Sequence, residues 1–129
     1  MLNEIFKGMD NAAEMIDENF ESLKTEFGSN EDGHWIKFRD GTLICYFLDP
    51  VRELITESSG GVYYHNKWFD FPMPFVDFPT VSPAIRRMLG GVVWGGNRQL
   101  EMGRVEMFLI SNGSGGDARH GYIAIGRWK

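Results

Sequence analysis

The sequence has only one cysteine, Cys45, and no apolar run long enough to form a membrane-spanning helix. A single cysteine excludes a disulfide within the chain and any metal site built from several cysteines of one copy. The N-terminus also lacks the basic-then-apolar pattern of a signal peptide, since Glu4 precedes Lys7. We therefore expect a soluble chain that does not insert into a membrane and is stabilised by packing or by association.

Positive charge is scarce in the first part of the chain. Residues 1–32 contain nine acidic residues and two lysines, a net charge of −7, whereas the remaining 97 residues carry nine acids and eleven bases, a net charge of +2. Neither part has the clustered lysines and arginines of a nucleic-acid-binding surface. We expect no nucleic-acid partner, and 129 residues fit a single core-forming domain.

Motifs for catalysis and metal binding are also missing. The sequence has no Gly-x-Ser-x-Gly, and its glycine-rich stretches lack the Lys-Ser/Thr pair of a phosphate-binding loop. His34, His65 and His120 lack the spacing of a preformed metal site, although a three-fold axis could bring copies of one histidine together. Cys45 lies in an apolar stretch, where a thiol is usually inert. We predict no enzymatic activity, no cofactor and no metal within one chain.

A heptad pattern is present instead. Apolar residues at alternating spacings of four and three are Leu2, Phe6, Met9, Ala13, Ile16, Phe20, Leu23 and Phe27. This spacing predicts a helix from about residue 2 to residue 27, ended by Gly28-Ser29-Asn30. The seam either packs on the chain's own domain or joins copies of the chain. The unbroken register and the bulky phenylalanines favour a parallel homotrimer, with residues 1–28 as a coiled-coil stem.

From residue 33 the pattern changes to strands and turns. Asp40-Gly41, between two alternating stretches, predicts a tight hairpin. Further strands are predicted at residues 61–65, 67–71, 80–88, 91–94, 104–111 and 121–128. Residues 50–56 are compatible with one or two helical turns, and the glycine-rich residues 112–117 predict an exposed tip. The fold class is mainly β, with an antiparallel β-sandwich over residues 33–129 and its last strand in the core.

Three stretches follow one another along the chain: HWIKFRDGTLICYF, FDFPMPFVDFPTVSPAI and GYIAIGRWK. Together, in this order, they resemble the C-terminal domain of tail-fibre and minor tail proteins of tailed bacteriophages and prophages. The matching residues are Trp35, Lys37, Phe38, Asp40, Gly41, Leu43 and Ile44, then Phe71, Pro72, Pro74, Phe75, Pro79 and Val81, then Tyr122, Ile123, Ala124, Ile125 and Gly126. The resemblance covers residues 33–129 and implies a small β-sandwich that trimerises at the tip of a fibre or baseplate and contacts the host surface. The motif residues look structural and transfer no binding site, and residues 86–104 depart from the family pattern.

Aromatic rings beside polar side chains are typical of saccharide recognition. The stretches YYHNKW and VWGGNR have this mixture, and DARH is a third candidate because of its expected exposure. The candidate receptor-binding residues are Tyr63, Tyr64, His65, Trp68, Trp94, Asn97, Asp117, Arg119 and His120. Core packing remains an alternative for Trp68 and Trp94.

These observations predict a non-enzymatic receptor-binding protein of a phage or prophage tail fibre or baseplate. It would be made in the bacterial host cytoplasm, be located in the virion tail, and recognise a host surface saccharide as a trimer beside other tail or baseplate proteins. Two alternatives remain: a structural tail protein that docks through its helix, and a glycan depolymerase.

Overall fold

The alternating pattern forms two antiparallel sheets in the computed structural model, which describes residues 24–89, 92–113 and 116–129. The strands are β1 (Glu26–Asn30), β2 (Gly33–Lys37), β3 (Thr42–Ile55), β4 (Glu57–Ser59), β5 (Val62–Asp70), β6 (Thr80–Leu89), β7 (Val93–Leu100), β8 (Arg104–Ser111) and β9 (Gly116–Arg127). The five-stranded sheet has the order β1-β2-β3-β9-β6, and the four-stranded sheet has the order β4-β5-β8-β7. The mainly β prediction is confirmed for these ranges. They contain no helix that could cross a membrane.

Both sheets contribute to one main core. Leu43 and Tyr122 come from the five-stranded sheet and Phe69 and Met107 from the four-stranded sheet, and all four are buried. The other buried members are Cys45, Phe71, Phe75, Val105 and Ala124. Full burial of a side chain of this size contributes roughly 1.5–3 kcal/mol, so this cluster is the main source of stability.

The C-terminal strand contributes to the core, as predicted, and is an interior strand of its sheet. β9 pairs with β3 on one side and with β6 on the other. Tyr122 and Ala124 face the core, whereas the alternate residues Ile123 and Ile125 are exposed on the outer face. The indole Nε1 of Trp128 donates to the carbonyl of Phe38 at 2.6 Å, which fastens the chain end to the first hairpin.

The hairpin between β2 and β3 has the predicted turn at Asp40-Gly41. Gly41 has a φ of +102°, which an L-residue with a side chain adopts at a cost, and Asp40 Oδ1 accepts from the Thr42 amide at 2.8 Å. The middle stretch of the tail-fibre pattern packs beside the closing one, because Phe75 and Pro79 contact the backbone of Gly126. The three stretches of the resemblance therefore meet in one part of the sandwich.

The predicted N-terminal helix cannot extend to Phe27. Glu26–Asn30 is strand β1, whose five residues all pair with β2, and Phe27 lies opposite Ile36. Gly28 is covered by the Trp35 ring, so Gly28-Ser29-Asn30 is an edge strand rather than a helix stop. Residues 24 and 25 are not helical either, and residues 1–23, which contain the seam residues from Leu2 to Leu23, lie outside the described residues.

Further boundaries differ from the sequence prediction, among them that of β7, which continues to Leu100 beyond its predicted end at residue 94. Residues 50–55, where the sequence is compatible with one or two helical turns, belong to strand β3. The strand has a bulge between Leu48 and Arg52, and its pairing with β9 resumes at Arg52. The predicted strands 61–65 and 67–71 are one strand, β5, since Asn66 pairs with Phe108 and does not interrupt the ladder. β9 begins at Gly116, so the predicted tip is shorter than residues 112–117.

Candidate functional site

Strand β5 separates its side chains between the core and the solvent face of the four-stranded sheet. Phe69 is buried in the core, which places residues of the same parity inside the sandwich. Val62, Tyr64, Asn66 and Trp68 have the opposite parity and lie on the outer face. The strand therefore presents two aromatic rings and an amide to solvent.

These outer residues border a groove of about 450 Å³ that is open to solvent. Its lining residues are Ser59, Val62, Tyr64, Asn66, Arg98, Phe108 and Ile110. They come from all four strands of the sheet. The volume falls in the range of small-ligand sites, and the lining combines aromatic and aliphatic surface with a few polar groups.

The floor of the groove is the Phe108 ring. Phe108 lies opposite Asn66 on β5 and opposite Gly96 on β7. A Cβ on Gly96 would be 3.1 Å from the ring of Phe108, so the glycine lets that ring lie close over β7. A flat aromatic surface with an amide beside it results.

A charged pair borders the aromatic floor. Arg98 Nη1 is 3.4 Å from Glu106 Oε1, and the side chain of Arg98 is 57% exposed whereas that of Glu106 is 10% exposed. Arg98 lies at a β7 bulge between Asn97 and Gln99. Because its single ion-pair contact is long, the guanidinium keeps donors available for a ligand oxygen.

The two candidate tryptophans are both outside the core, beside the groove. Trp94 lies opposite Ile110 and is 43% exposed. Trp68 lies on the same face, but the Arg104 guanidinium is 4.1 Å from its ring centroid and covers one side of it. Trp94 thus extends the aromatic surface of the groove, whereas Trp68 already has a cation-π partner on one face.

Other residues of the stretch YYHNKW face the space between the sheets. Tyr63 packs against a second, smaller core cluster, and His65 Nε2 is 3.4 Å from Glu53 Oε2. Lys67 Nζ donates to Glu53 Oε1 at 2.7 Å and also contacts Asp49 Oδ2. This cluster of charged side chains lies inside the sandwich and away from the groove.

Asp49 and Lys67 stabilise each other's charged forms. Desolvation acts to raise the pKa of Asp49, but hydrogen bonds from Lys67 and from the Val51 amide lower it overall. Desolvation likewise acts to lower the pKa of Lys67, and the hydrogen bonds to Asp49 and Glu53 raise it overall. The pair has a structural role at neutral pH, since both groups remain charged and bonded to each other.

His120 is fully buried beside this charged cluster. Its ring lies edge-on to Phe69 with centroids 5.3 Å apart, and neither ring nitrogen has a hydrogen-bond partner within the part of the chain that the structure describes. Desolvation, with the nearby charges of His65 and Lys67, lowers the pKa of His120 to about 4. The candidate His120 therefore has no surface through which to contact a receptor in this conformation.

The stretch DARH is not an exposed loop, as the sequence suggested, but part of central strand β9. Asp117 is buried and its Oδ2 accepts from Arg52 Nη2 at 2.6 Å. Arg119 is half-buried on the outer face of the five-stranded sheet, on the opposite side of the molecule from the groove. Asn97 lies opposite Met107 at the β7 bulge and is exposed.

Of the candidates chosen from the sequence, Tyr64 lines the groove, and Trp94 and Trp68 lie on the same face of the sheet. The sequence did not point to Ser59, Val62, Phe108 or Ile110, and Asn66 and Arg98 lay in the two candidate stretches without being named as candidate residues. The signal for two of them is in β8, where Val105, Met107 and Leu109 alternate inward while Phe108 and Ile110 are also apolar. In a two-layer fold only one face of a strand packs against the other sheet, so apolar residues on its second face indicate a surface with another role.

Known proteins were compared with the chain by sequence and by fold. No family model and no curated protein matches the sequence. A C-terminal fragment of the P. aeruginosa R1 pyocin fibre has a similar structure, with a TM-score of 0.61 at 13% identity. The fold is that of a tail-fibre β domain. An N-truncated R1-type pyocin tail fibre is also similar, with a TM-score of 0.60 at 13% identity.

The extent of the two matches differs. The chain covers 28% of the first fibre fragment, with 81% of its own length aligned. It covers 93% of the second fragment, with 85% of its own length aligned. At this identity the likeness concerns the fold, and it confirms the tail-fibre-like β domain that the three sequence stretches suggested.

Proposed function

We propose that the protein is a receptor-binding component of a phage or prophage tail fibre or baseplate, and that it binds a host surface saccharide in the groove of the four-stranded sheet without cleaving it. The observation that carries this proposal is the partly exposed aromatic floor of an open groove, with polar side chains beside it, on a tail-fibre-like fold. The protein would act in the virion tail after synthesis in the host cytoplasm.

The groove offers what a sugar ring requires. The C–H face of a pyranose stacks on an aromatic ring, here Tyr64 or Phe108, with Trp94 at the margin. Asn66 and Ser59 can donate to and accept from hydroxyl groups, and Arg98 can donate to a ring or carbonyl oxygen. No ionic group of the sugar is needed, so a neutral glycan suits this site.

We also propose that three copies assemble through the seam of residues 2–23. A further apolar surface supports contact between copies, since the outer face of the five-stranded sheet exposes Phe27 (80%), Tyr46, Ile123 and Ile125. Phe27 directly follows the seam segment in sequence and begins this surface, so a second copy could cover both. Three shallow sites on one assembly bind a repetitive polymer more tightly than one site through avidity.

The test is binding of the purified full-length protein to a panel of host-envelope glycans. Tyr64→Ala and Phe108→Ala each remove a stacking ring, and we expect each to weaken binding by about tenfold, equivalent to roughly 1.4 kcal/mol. Phe78→Ala is the matched control, because Phe78 is an exposed ring outside the groove. Equal weakening by all three variants, or no binding to any host glycan, would count against the proposal.

The same samples separate the alternatives. A purely structural tail protein would bind no glycan but would co-purify with other tail or baseplate proteins through residues 1–23. A depolymerase would release reducing ends from the bound glycan, which a colorimetric assay detects. Mass measurement in solution tests the trimer, and a monomer at micromolar concentration would contradict the seam and avidity arguments.

A further inference from the structure

Three arginines lie in one row across the outer face of the five-stranded sheet. Arg119 of β9 is the direct partner of Arg52 on β3 and of Arg86 on β6. Residues directly opposite each other in an antiparallel ladder project from the same face of the sheet. Arg119 lies on the same face of β9 as Ile123, which is exposed to solvent. The row spans two strand spacings, roughly 10 Å.

The middle arginine is held in position by the β3 bulge. Arg119 Nε donates to the Asp49 carbonyl at 2.9 Å and Nη2 donates to the Leu48 carbonyl at 3.3 Å. Both carbonyls lie where the register shifts between Leu48 and Arg52. The irregular backbone therefore orients the guanidinium, and its remaining N–H donors are available in a fixed direction.

The flanking arginines are more open. Arg52 pairs with Asp117 through one contact of 2.6 Å, and its side chain remains 48% exposed. Arg86 is exposed and has no ion-pair partner among the residues that the structure describes. With one carboxylate for three guanidinium groups, the row has an excess of two positive charges.

Like charges directly opposite each other in a sheet are destabilising, so this arrangement is unfavourable unless an anion lies over it. Guanidinium groups bind phosphate and carboxylate oxygens through paired N–H donors, more specifically than ammonium groups do. We propose that Arg52, Arg86 and Arg119 form a binding site for the oxyanion groups of an acidic polymer, separate from the aromatic groove.

This site goes beyond the proposed saccharide groove and does not depend on it. The groove lies on the outer face of the four-stranded sheet, and the arginine row lies on the outer face of the other sheet. Along β9 and β6, the pair Gly121 and Ala84 separates the arginines from the exposed Ile123. An interface between copies that covers Ile123 and Ile125 would leave the arginines at its margin.

The test titrates the full-length protein with inorganic polyphosphate and, separately, with polygalacturonate, at several salt concentrations. We expect Arg86→Gln to weaken binding of the preferred polymer by about tenfold. It should also reduce the slope of log affinity against log salt concentration by about one. Arg86→Lys keeps the charge but loses the paired donors, so it should retain the salt dependence with intermediate affinity. The preferred polymer identifies phosphate or carboxylate as the natural group.

Arg39→Gln is the control, because it removes the same charge from the exposed hairpin of the same sheet. Arg52 is a poorer test position than Arg86, since its loss would leave Asp117 buried without its partner. An equal effect of Arg39→Gln and Arg86→Gln would overturn the proposal, as would failure to bind either polymer. The glycan test of the groove stays independent when it is read from the neutral members of the panel.

Discussion

The buried His120 predicts a specific dependence of stability on pH. Its pKa is lowered from 6.5 to about 4 by burial between the sheets. Between these two values the unfolded chain binds a proton that the folded chain does not. The free energy of unfolding therefore falls as the pH is lowered through this window, and no such loss occurs above pH 6.5.

The size of the effect follows from the two pKa values. Each unit of difference corresponds to about 1.4 kcal/mol, so the full effect at pH 4 approaches 3 kcal/mol. Between pH 7 and pH 5 the expected loss is about 2 kcal/mol, which is a large part of the stability of a typical domain. Asp49, whose pKa is lowered from 3.8, adds a further loss only at lower pH.

Urea unfolding at pH 7, 6 and 5, at a fixed protein concentration, measures this loss. His120→Phe keeps the edge-on contact with Phe69 and removes the two unpartnered nitrogens, so we expect it to be at least as stable at pH 7. Its stability should change by about 2 kcal/mol less than that of the wild type between pH 7 and pH 5. His34→Phe, at an exposed histidine, should retain the wild-type dependence. Parallel pH profiles for wild type and His120→Phe would refute the reasoning.

Two further predictions concern β9 and β3. Gly121→Ala should destabilise the protein by more than the usual 1–3 kcal/mol of overpacking, because the new methyl group would collide with the backbone of Phe47 and Leu48. Gly103→Ala is the control, since nothing lies within 4 Å of the added methyl group, and it should be near neutral in the same urea titration. Burial raises the pKa of the Cys45 thiol to about 11, so a maleimide at pH 7.5 should label the protein only after unfolding, and rapid labelling of the native protein would contradict the burial.

Local chemistry made the first hairpin and the closing strand predictable from sequence. The Asp40-Gly41 turn requires a positive φ at Gly41 and a side-chain acceptor at Asp40, and both preferences are local. The final strand was predictable because a run such as YIAI must be covered on at least one side. Its alternate members Tyr122 and Ala124 are buried, as the period of two requires.

The end of the N-terminal helix was predicted wrongly because two periodicities overlap at Phe27. Its spacing from Leu23 continues the heptad seam, whereas its neighbours Gly28 and Ser29 are poor helix residues that fit an edge strand. What decides the outcome is pairing with β2 and the contact of Trp35 with Gly28, both of which involve residues beyond the predicted end of the helix. Tertiary contacts of this kind are invisible to a local pattern.

The groove was only partly predictable because β5 has no polar face. Its inward residues include His65 and Lys67, and its outward residues include Tyr64 and Trp68, so alternation alone cannot tell which face is buried. The inward charges are tolerated because Asp49 and Glu53 on β3 pair with Lys67, a contact 14 to 18 residues away in sequence. A sequence pattern carries no information on that partnership.

The placement of charged side chains inside and aromatic rings outside on β5 has a consequence for function. A strand that places charged groups inside the sandwich and aromatic rings outside is not arranged for maximal core packing. Stability does not require the partly exposed Phe108 and Tyr64 rings to the extent that it requires the buried Met107 and Phe69 on the same strands. Substitution of the outer rings should therefore affect binding far more than stability, which makes this face a suitable one on which to separate recognition from folding.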